Sequence, residues 1–196
     1  MAETWAIILA AGESGRMHTN KLLLPYLGKT MIETVIDHVR DSEINHIMVV
    51  LGAYSHELLP LISRLPVKHC YNSEYKRGML SSVQCGLRNI PVTMDAVLIF
   101  LGDQPAIPAE VSSILISEYH KSDKGIVIPV HKGRRGHPLL IDRKYRSTIG
   151  ILDQSVGLRD LLYKYPDDVL EVNVEFPEIL KDIDTPQDYR AITKSK

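Results

Sequence analysis

Two basic residues lie in a short glycine-containing segment that directly follows an apolar run. The segment Leu9–Pro25 reads LAAGESGRMHTNKLLLP and carries its basic residues at Arg16 and Lys21. Glycine lets backbone N–H groups approach a phosphate closely, because no side chain stands in the way. Arginine matches phosphate oxygens with a flat pair of donors, and lysine adds a mobile positive charge. The residue types and their order therefore predict a loop that holds a triphosphate.

Neither of two familiar phosphate-binding patterns accounts for this loop. A dinucleotide-binding loop needs Gly-x-Gly-x-x-Gly, whereas the glycines here are Gly12 and Gly15. A Walker loop needs Gly-Lys followed by Ser or Thr, which the segment lacks. The plain alternative is a tight surface loop with solvated Arg16 and Lys21. The small residues directly after the first apolar run favour the phosphate-binding interpretation.

A carboxylate follows a second apolar run. Asp103 comes directly after Ala96–Gly102, in the sequence LGDQP. Mg²⁺ binds through one or two carboxylates together with substrate phosphates. By itself, an Asp-x-Pro sequence after a strand is more typical of a turn or a helix cap. With the phosphate loop at the same edge of a sheet, we expect Asp103 to hold Mg²⁺.

Apolar runs alternate with amphipathic segments along the first two thirds of the chain. Runs rich in β-branched residues predict buried parallel strands at Trp5–Ala10, His46–Gly52, Ala96–Gly102 and Gly125–Val130. Helical spacing of apolar residues predicts helices at Thr30–Ser42, Ser55–Arg64, Met79–Asn89 and Pro108–Lys121, and a terminal helix from Pro186. A hairpin is expected around His131–Ile141. This order predicts an α/β fold, a three-layer sandwich with a mostly parallel Rossmann-like sheet and ligands beyond the carboxyl ends of its strands.

Composition limits the class of protein. A chain of 196 residues, 44% hydrophobic and 24% charged, predicts one domain spanning residues 1–196. A net charge of −1 argues against nucleic-acid binding. The apolar run Trp5–Ala11 is too short to span a membrane and does not follow a basic segment, which predicts a cytoplasmic protein. Cys70 and Cys85 lack a metal-binding spacing, so we expect reduced thiols and no zinc.

Five segments between Ile7 and Tyr189 form an ordered set of motifs: LAAGESGRMHTNKLLLP, GMLSSVQCGL, LGDQP, RGHPLLI and DIDTPQDY. They occur in the order found in the molybdenum cofactor nucleotidyltransferases, and they most resemble the cytidylyltransferase branch. This resemblance implies a nucleotidyltransferase-type fold. In the first of these segments, Ala11 stands where the guanylyl branch typically has glycine, which suggests cytidine over guanosine.

The resemblance also implies a role for each matching residue. The backbone of Leu9, Ala10, Ala11 and Gly12 would hold the base and sugar, Arg16 and Lys21 the phosphates, and Ser81 or Ser82 would lie near the base. Asp103 would bind Mg²⁺, with Asp184 as a second metal ligand, and Gly136, His137 and Pro138 would contact the second substrate. The basic sequence around that last motif, HKGRRGHP, is also consistent with a solvated hairpin tip.

The implied reaction is transfer of CMP from CTP to the terminal phosphate of molybdopterin or molybdenum cofactor, with release of pyrophosphate. No Ser-His-Asp or Cys-His constellation is evident, and none is needed, because a phosphomonoester is largely ionised at neutral pH. Positioning and electrostatic stabilisation by Arg16, Lys21 and Asp103 would then carry catalysis. The resemblance also implies a partner molybdoenzyme of the xanthine dehydrogenase type.

Two other functions stay open. One keeps the fold but uses a sugar or polyol phosphate as the acceptor. The other is a chaperone that binds molybdenum cofactor without turning over nucleotide. The chaperone is kept open by His18, which stands where the family usually has glycine and whose side chain would restrict the predicted phosphate loop.

Overall fold

Strands and helices alternate along the chain in this computed structural model, which describes residues 3–17 and 19–194. The strands are β1 Thr4–Ala10, β2 Pro25–Tyr26, β3 Lys29–Thr30, β4 His46–Leu51, β5 Lys68–Tyr71, β6 Ala96–Leu101, β7 Ile126–His131, β8 Arg134–Arg135, β9 Leu139–Asp142 and β10 Val169–Asn173. The helices are α1 Met31–Arg40, α2 Ser55–Ile62, α3 Met79–Arg88, α4 Ala109–Lys121, α5 Arg146–Gly150, α6 Arg159–Lys164 and α7 Pro186–Lys194.

A mixed sheet forms the centre of the molecule. Its strands follow the order β10-β7-β9-β6-β1-β4-β5, and β8 pairs with β7. β1 runs parallel to both β4 and β6, and β4 runs parallel to β5, so these four strands end at the same edge. β9 is antiparallel to both of its neighbours, β6 and β7. The mostly parallel sheet predicted from the sequence is confirmed, with β9 as an antiparallel insertion.

Helices cover both faces of the sheet. Ala6, Ile8 and Ala10 of β1 are buried in one apolar core together with residues of α1, α2 and α4. Trp5 and Ile7, which point the other way, are buried in a second core with residues of α3, α5 and α6. The two cores make the three-layer sandwich expected from continuous apolar runs.

The start of α1 shows how local sequence fixes an element at the site edge. Thr30 accepts a hydrogen bond from the Glu33 backbone N–H, and the Glu33 carboxylate accepts one from the Thr30 backbone N–H. This capping box places Thr30 just before the helix, whereas the predicted helix began at Thr30 itself. In α4, likewise, Pro108 is the residue before the helix and Ala109 begins it.

Elements of the sheet edges and of the last third differ most from the prediction. Strands β5 and β10 and the short helices α5 and α6 were not predicted. The expected hairpin is present between β7 and β8, where Lys132 and Gly133 take positive φ angles of 49° and 75°. The end of the expected hairpin lies in β9, which returns antiparallel to β7 and also pairs with β6 on its other side. None of the described helices is long and apolar enough to cross a lipid bilayer.

Cys70 on β5 and Cys85 on α3 are free thiols, as expected. Their sulfur atoms lie 3.7 Å apart, which is close contact without a covalent bond. Burial, and the neighbouring Cys85, raise the pKa of the Cys70 thiol well above its usual value. The Cys70 thiol is therefore mostly protonated at neutral pH, and the thiol is a weaker nucleophile than the thiolate.

Candidate functional site

The loop that follows β1 is anchored to the ends of both neighbouring strands. The carbonyl oxygen of Leu9 accepts a hydrogen bond from the Gly102 N–H at 3.0 Å, just beyond β6. The carbonyl oxygen of Ala11 accepts one from the Ala53 N–H at 3.2 Å, just beyond β4. These bonds fix the backbone at the carboxyl edge of the sheet, where the sequence predicted a phosphate-binding loop.

Gly52 is a site residue that sequence reasoning missed. A β-carbon on Gly52 would lie 2.6 Å from both the Cβ and the carbonyl oxygen of Ala11. Only glycine lets the end of β4 approach the loop this closely. A glycine after a strand was visible in the sequence, but nothing in the sequence marked its contact with Ala11.

Replacing Gly52 with alanine should push the loop out of place, because the obstructing atoms include backbone. We expect the free energy of unfolding to fall by about 1–3 kcal/mol, together with weaker nucleotide binding. Gly150→Ala is the matched control, since no atom lies within 4 Å of the added carbon there. Thermal unfolding and nucleotide titration of both variants measure the effects, and equal behaviour of the two would refute the packing argument.

Opposite charges converge beside the loop. The Lys21 ammonium lies 2.5 Å from an Asp103 carboxylate oxygen and 2.8 Å from one of Asp184. Arg16 donates to the other Asp184 oxygen at 2.6 Å. Lys21 is 12% exposed and Arg16 is 69% exposed, so the lysine lies inside the site and the arginine at its rim. The four residues predicted to handle phosphate and metal are thus in one cluster.

The cluster shifts the ionisation of its members. Burial alone would lower the pKa of Lys21, but the charges and hydrogen bonds of Asp103 and Asp184 outweigh burial and raise it. Burial would likewise raise the pKa of Asp184, yet Lys21 and Arg16 lower it on balance. Lys21 and Asp184 are therefore charged across the neutral range.

A tertiary contact brings Asp184 to Asp103 from far along the chain. The Ile183 N–H donates to the Asp103 carbonyl oxygen at 3.1 Å. The Gln104 amide donates to a carboxylate oxygen of Asp182 at 2.6 Å. Burial, and repulsion from Asp103, raise the pKa of Asp182. The bond between Gln104 and Asp182 holds the Asp103 and Asp184 segments together. The sequence did not predict this role, because the two residues are far apart along the chain.

A cavity of about 380 Å³ opens in front of the loop and the charge cluster. Its lining includes eight residues that the sequence predicted for the site: Leu9, Ala11, Gly12, Arg16, Lys21, Ser82, Asp103 and Asp184. Tyr75 and Gly78, which precede α3, and Met79, its first residue, also line the cavity and were missed. Two predicted residues do not line the cavity. Ala10 is buried in the core, and the Ser81 hydroxyl donates to the Glu74 and Gly78 carbonyl oxygens.

The RGHP motif lies outside this cavity. The His137 N–H donates to the Ile179 carbonyl oxygen at 3.1 Å, and a β-carbon on Gly136 would lie 2.4 Å from the same oxygen. Burial lowers the pKa of His137, so its imidazole is neutral at pH 7. Gly136, His137 and buried Pro138 precede β9 and pack near the segment that leads to Asp184. Their predicted contact with a second substrate stays a prediction, and His18 lies outside the described residues.

A second cavity, of about 770 Å³, adjoins the first across the Arg16–Asp184 ion pair. Pro105, Leu180 and Ile183 give it apolar walls. Its charged lining is mainly acidic, with Arg16 and Lys181 beside Glu178, Asp182, Asp184 and Asp188. Because both cavities are lined by Arg16 and Asp184, these two side chains can face ligands on either side.

The carboxylates of this site could supply part of the coordination of a divalent cation, with substrate phosphates supplying the rest. Asp103 and Asp184 supply carboxylates, and among the described residues no group of three or more His, Cys, Asp or Glu side chains forms a closed metal cage. Two carboxylates completed by phosphate oxygens and water are the ligands that Mg²⁺ prefers. In this structure the Lys21 ammonium bridges the two carboxylates, and Arg16 also pairs with Asp184.

Comparison with known proteins agrees with this geometry. Residues 6–169 match the MobA-like NTP transferase domain. The chain is 29% identical to the molybdenum cofactor cytidylyltransferase of Escherichia coli, over 93% of this chain and 92% of that protein. It is 30% identical to a probable molybdenum cofactor guanylyltransferase of Natranaerobius thermophilus, over 96% and 94%.

A solved structure supports the same fold. A Methanothermobacter nucleotidyl transferase superposes with a TM-score of 0.84 at 23% identity, over 98% of this chain and 97% of that one. The match to the domain covers most of the residues, including the glycine-containing loop after β1 and the Asp103 segment. The chain therefore belongs to the MobA-like NTP transferase family.

Proposed function

We propose that this protein transfers CMP from CTP to the phosphate of a molybdopterin-type cofactor and releases pyrophosphate. The observation that carries the proposal is the Lys21 ammonium held between Asp103 and Asp184 on the wall of a cavity that the glycine-containing loop also lines. Such a cluster suits a reaction whose barrier is mainly repulsion between phosphates.

The nucleotide occupies the 380 Å³ cavity in this proposal. Backbone groups from Leu9 to Gly12 hold the base and ribose, and Ser82 approaches the base from the start of α3. Arg16 and Lys21 bind the triphosphate. Lys21 suits this role because the acidic neighbours that raise its pKa keep it protonated at neutral pH.

The chemistry requires no general base from the protein. A phosphate oxygen of the acceptor forms a bond to the α-phosphorus of CTP, the bond from that phosphorus to the bridging oxygen breaks, and pyrophosphate leaves. The acceptor is a phosphomonoester whose second pKa is near 6, so it is already mostly dianionic. Arg16 and Lys21 neutralise charge and align the two phosphates, which is most of what catalysis needs here.

Mg²⁺, held by Asp103 and Asp184, would neutralise the triphosphate oxygens and polarise the α-phosphate when bound. The protein supplies two carboxylates for it, 19% and 31% exposed, so they are open to a metal that arrives with the nucleotide. Lys21 can then turn from the carboxylates to the phosphates, because its side chain is long and flexible.

The acceptor lies beyond the Arg16–Asp184 pair in this proposal. The apolar walls of the second cavity suit an aromatic ring system, and Arg16, which lines both cavities, supplies a positive charge for the phosphate that the ring system carries. The two curated relatives differ in nucleotide but share the acceptor named for them, and they are nearly equal in identity to this chain. The comparisons therefore support a molybdopterin-type acceptor more than they support one nucleobase. For the base, Ala11 favours cytosine. We further propose a cytosolic location and delivery to a molybdoenzyme.

The test is a pyrophosphate-release assay with purified protein and molybdopterin-type cofactor. CTP and GTP are supplied separately, each with Mg²⁺ or with EDTA. We expect release with CTP, dependent on both the cofactor and Mg²⁺. A thermal-shift series with the same nucleotides reports binding independently, because a ligand that binds only the folded state raises the unfolding temperature.

Other outcomes discriminate the alternatives. Release with GTP in place of CTP would keep the transferase and change the base. Release with a sugar or polyol phosphate in place of the cofactor would change the acceptor. Cofactor binding without any release would favour the chaperone and contradict the proposal.

A further inference from the structure

A buried asparagine outside the cavity connects β5 to the start of α3. Asn72 is 2% exposed and lies directly after β5. Its amide nitrogen donates to the Ser81 hydroxyl at 2.9 Å and to the Ser82 hydroxyl at 3.0 Å. Its amide oxygen accepts from the Glu74 backbone N–H at 3.0 Å. Every hydrogen-bonding group of the side chain is thus used.

The orientation of this amide is fixed by chemistry. A backbone N–H can only donate, so the atom of Asn72 that faces Glu74 must be the oxygen. The nitrogen must then face the two serines, and each of its hydrogens has one acceptor. Ser81 and Ser82 are thereby obliged to accept hydrogen bonds from Asn72.

The two serines differ in where their own hydrogen goes. The Ser81 hydroxyl lies 2.9 Å from the Glu74 carbonyl oxygen and 2.8 Å from that of Gly78, so its hydrogen is used within the protein. Ser82 lines the cavity, and among the described residues its hydroxyl makes one hydrogen bond, which it accepts from Asn72. Its hydrogen is therefore available to a ligand.

We propose that Asn72 is a positioning residue for base recognition, which makes Ser82 a hydrogen-bond donor toward an acceptor atom on the nucleobase. This inference rests on the proposed function, because it places the base of the nucleotide against Ser82. Suitable acceptors are the O2 and N3 atoms of cytosine and the O6, N7 and N3 atoms of guanine. Asn72 itself does not touch the nucleotide.

Asn72→Asp reverses the polarity without changing the shape. The carboxylate still accepts from Glu74, but it now also accepts the Ser82 hydrogen, so Ser82 can no longer donate to the base. We expect the Kd of CTP or GTP, whichever the wild-type protein binds more tightly, to rise about tenfold or more. Binding of inorganic tripolyphosphate should change less than about twofold, because it has no base. Both are measured by calorimetric titration.

A double-mutant cycle separates positioning from general damage. In the Ser82→Ala background, Asn72→Asp should add no further loss of nucleotide affinity, since the group through which Asn72 acts is gone. Asn89→Asp is the matched control. It makes the same chemical change at the other end of α3, where Asn89 bonds to the Cys85 carbonyl, and nucleotide affinity should not change.

A buried charge can also unfold a protein, so thermal unfolding accompanies each titration. Asn72→Ala introduces no charge, and we expect the same results from it. Nucleotide binding should weaken, tripolyphosphate binding should not change, and nucleotide affinity should fall no further in the Ser82→Ala background. Unchanged nucleotide affinity in both Asn72 variants, or an equal loss in the Ser82→Ala background, would overturn the inference. Failure of the wild-type protein to bind CTP and GTP would instead overturn the proposed function.

Discussion

Replacing Lys21 with methionine should lower the rate of pyrophosphate release by about 10²- to 10³-fold, the usual cost of losing one preorganised donor at a reacting phosphate or oxyanion. Methionine keeps most of the side-chain length and removes the charge. The ammonium that lies 2.5 Å from Asp103 and 2.8 Å from Asp184 would be lost from the wall of the cavity. Steady-state assays with nucleotide and acceptor measure the effect.

A second measurement on the same variant needs no turnover. Without Lys21, Asp103 and Asp184 lose the ammonium that bridges them in this structure, and only Asp184 keeps a cationic partner, Arg16. The two carboxylates should then bind a divalent ion more readily in the absence of nucleotide. Titration of Mn²⁺ followed by electron paramagnetic resonance should show tighter binding to Lys21→Met than to the wild type.

Lys29→Met is the matched control for both measurements. Lys29 pairs with Asp37 at the same distance, 2.5 Å, but its side chain is 58% exposed and lines neither cavity. Rate and metal affinity should be unchanged in this variant. If Lys21→Met keeps the full rate of pyrophosphate release, Lys21 has no role in catalysis.

The parts of the fold that were predictable are those in which local sequence and tertiary position agree. β1, β4 and β6 are buried on both faces, so their sequences are continuous apolar runs that few other elements tolerate. β5 lies at the sheet edge and reads Lys-His-Cys-Tyr, with exposed residues at both ends, so it lacks that signal. The direction of β9 is set by its neighbours β6 and β7, and no local pattern reports it.

The site shows the same division. Lys21 and Asp103 could be placed together from the sequence alone, because the carboxyl ends of parallel strands share one edge of the sheet. Asp184 was suggested only by resemblance, since its position depends on the bond from Ile183 to the Asp103 carbonyl. Asn72 and Gly52 touch no ligand in our proposals. They act through tertiary contacts within the protein, which the spacing of residues along the sequence does not predict.

The carboxylate at position 103 should be the most sensitive single group in the site. Asp103→Asn keeps the size of the side chain and removes its charge, so a principal ligand for Mg²⁺ and the nearer partner of Lys21 are both weakened. We expect the Mg²⁺-dependent rate to fall by about a thousandfold or more, since a metal at this position supplies several kcal/mol of charge stabilisation. Pyrophosphate release over a range of Mg²⁺ concentrations measures the loss.

The fold should survive this substitution, which makes a loss of rate interpretable. The contact that fastens the Asp184 segment here uses the backbone oxygen of residue 103, and asparagine retains that oxygen. Metal-free nucleotide binding should therefore persist, while the Mg²⁺-dependent gain in affinity disappears. Asp37→Asn removes a comparable carboxylate from the exposed pair with Lys29 and should leave the rate intact. Asp103→Asn removes a carboxylate charge from the proposed metal site. Full activity of this variant would therefore mean that groups other than Asp103 and its metal neutralise the phosphate charge.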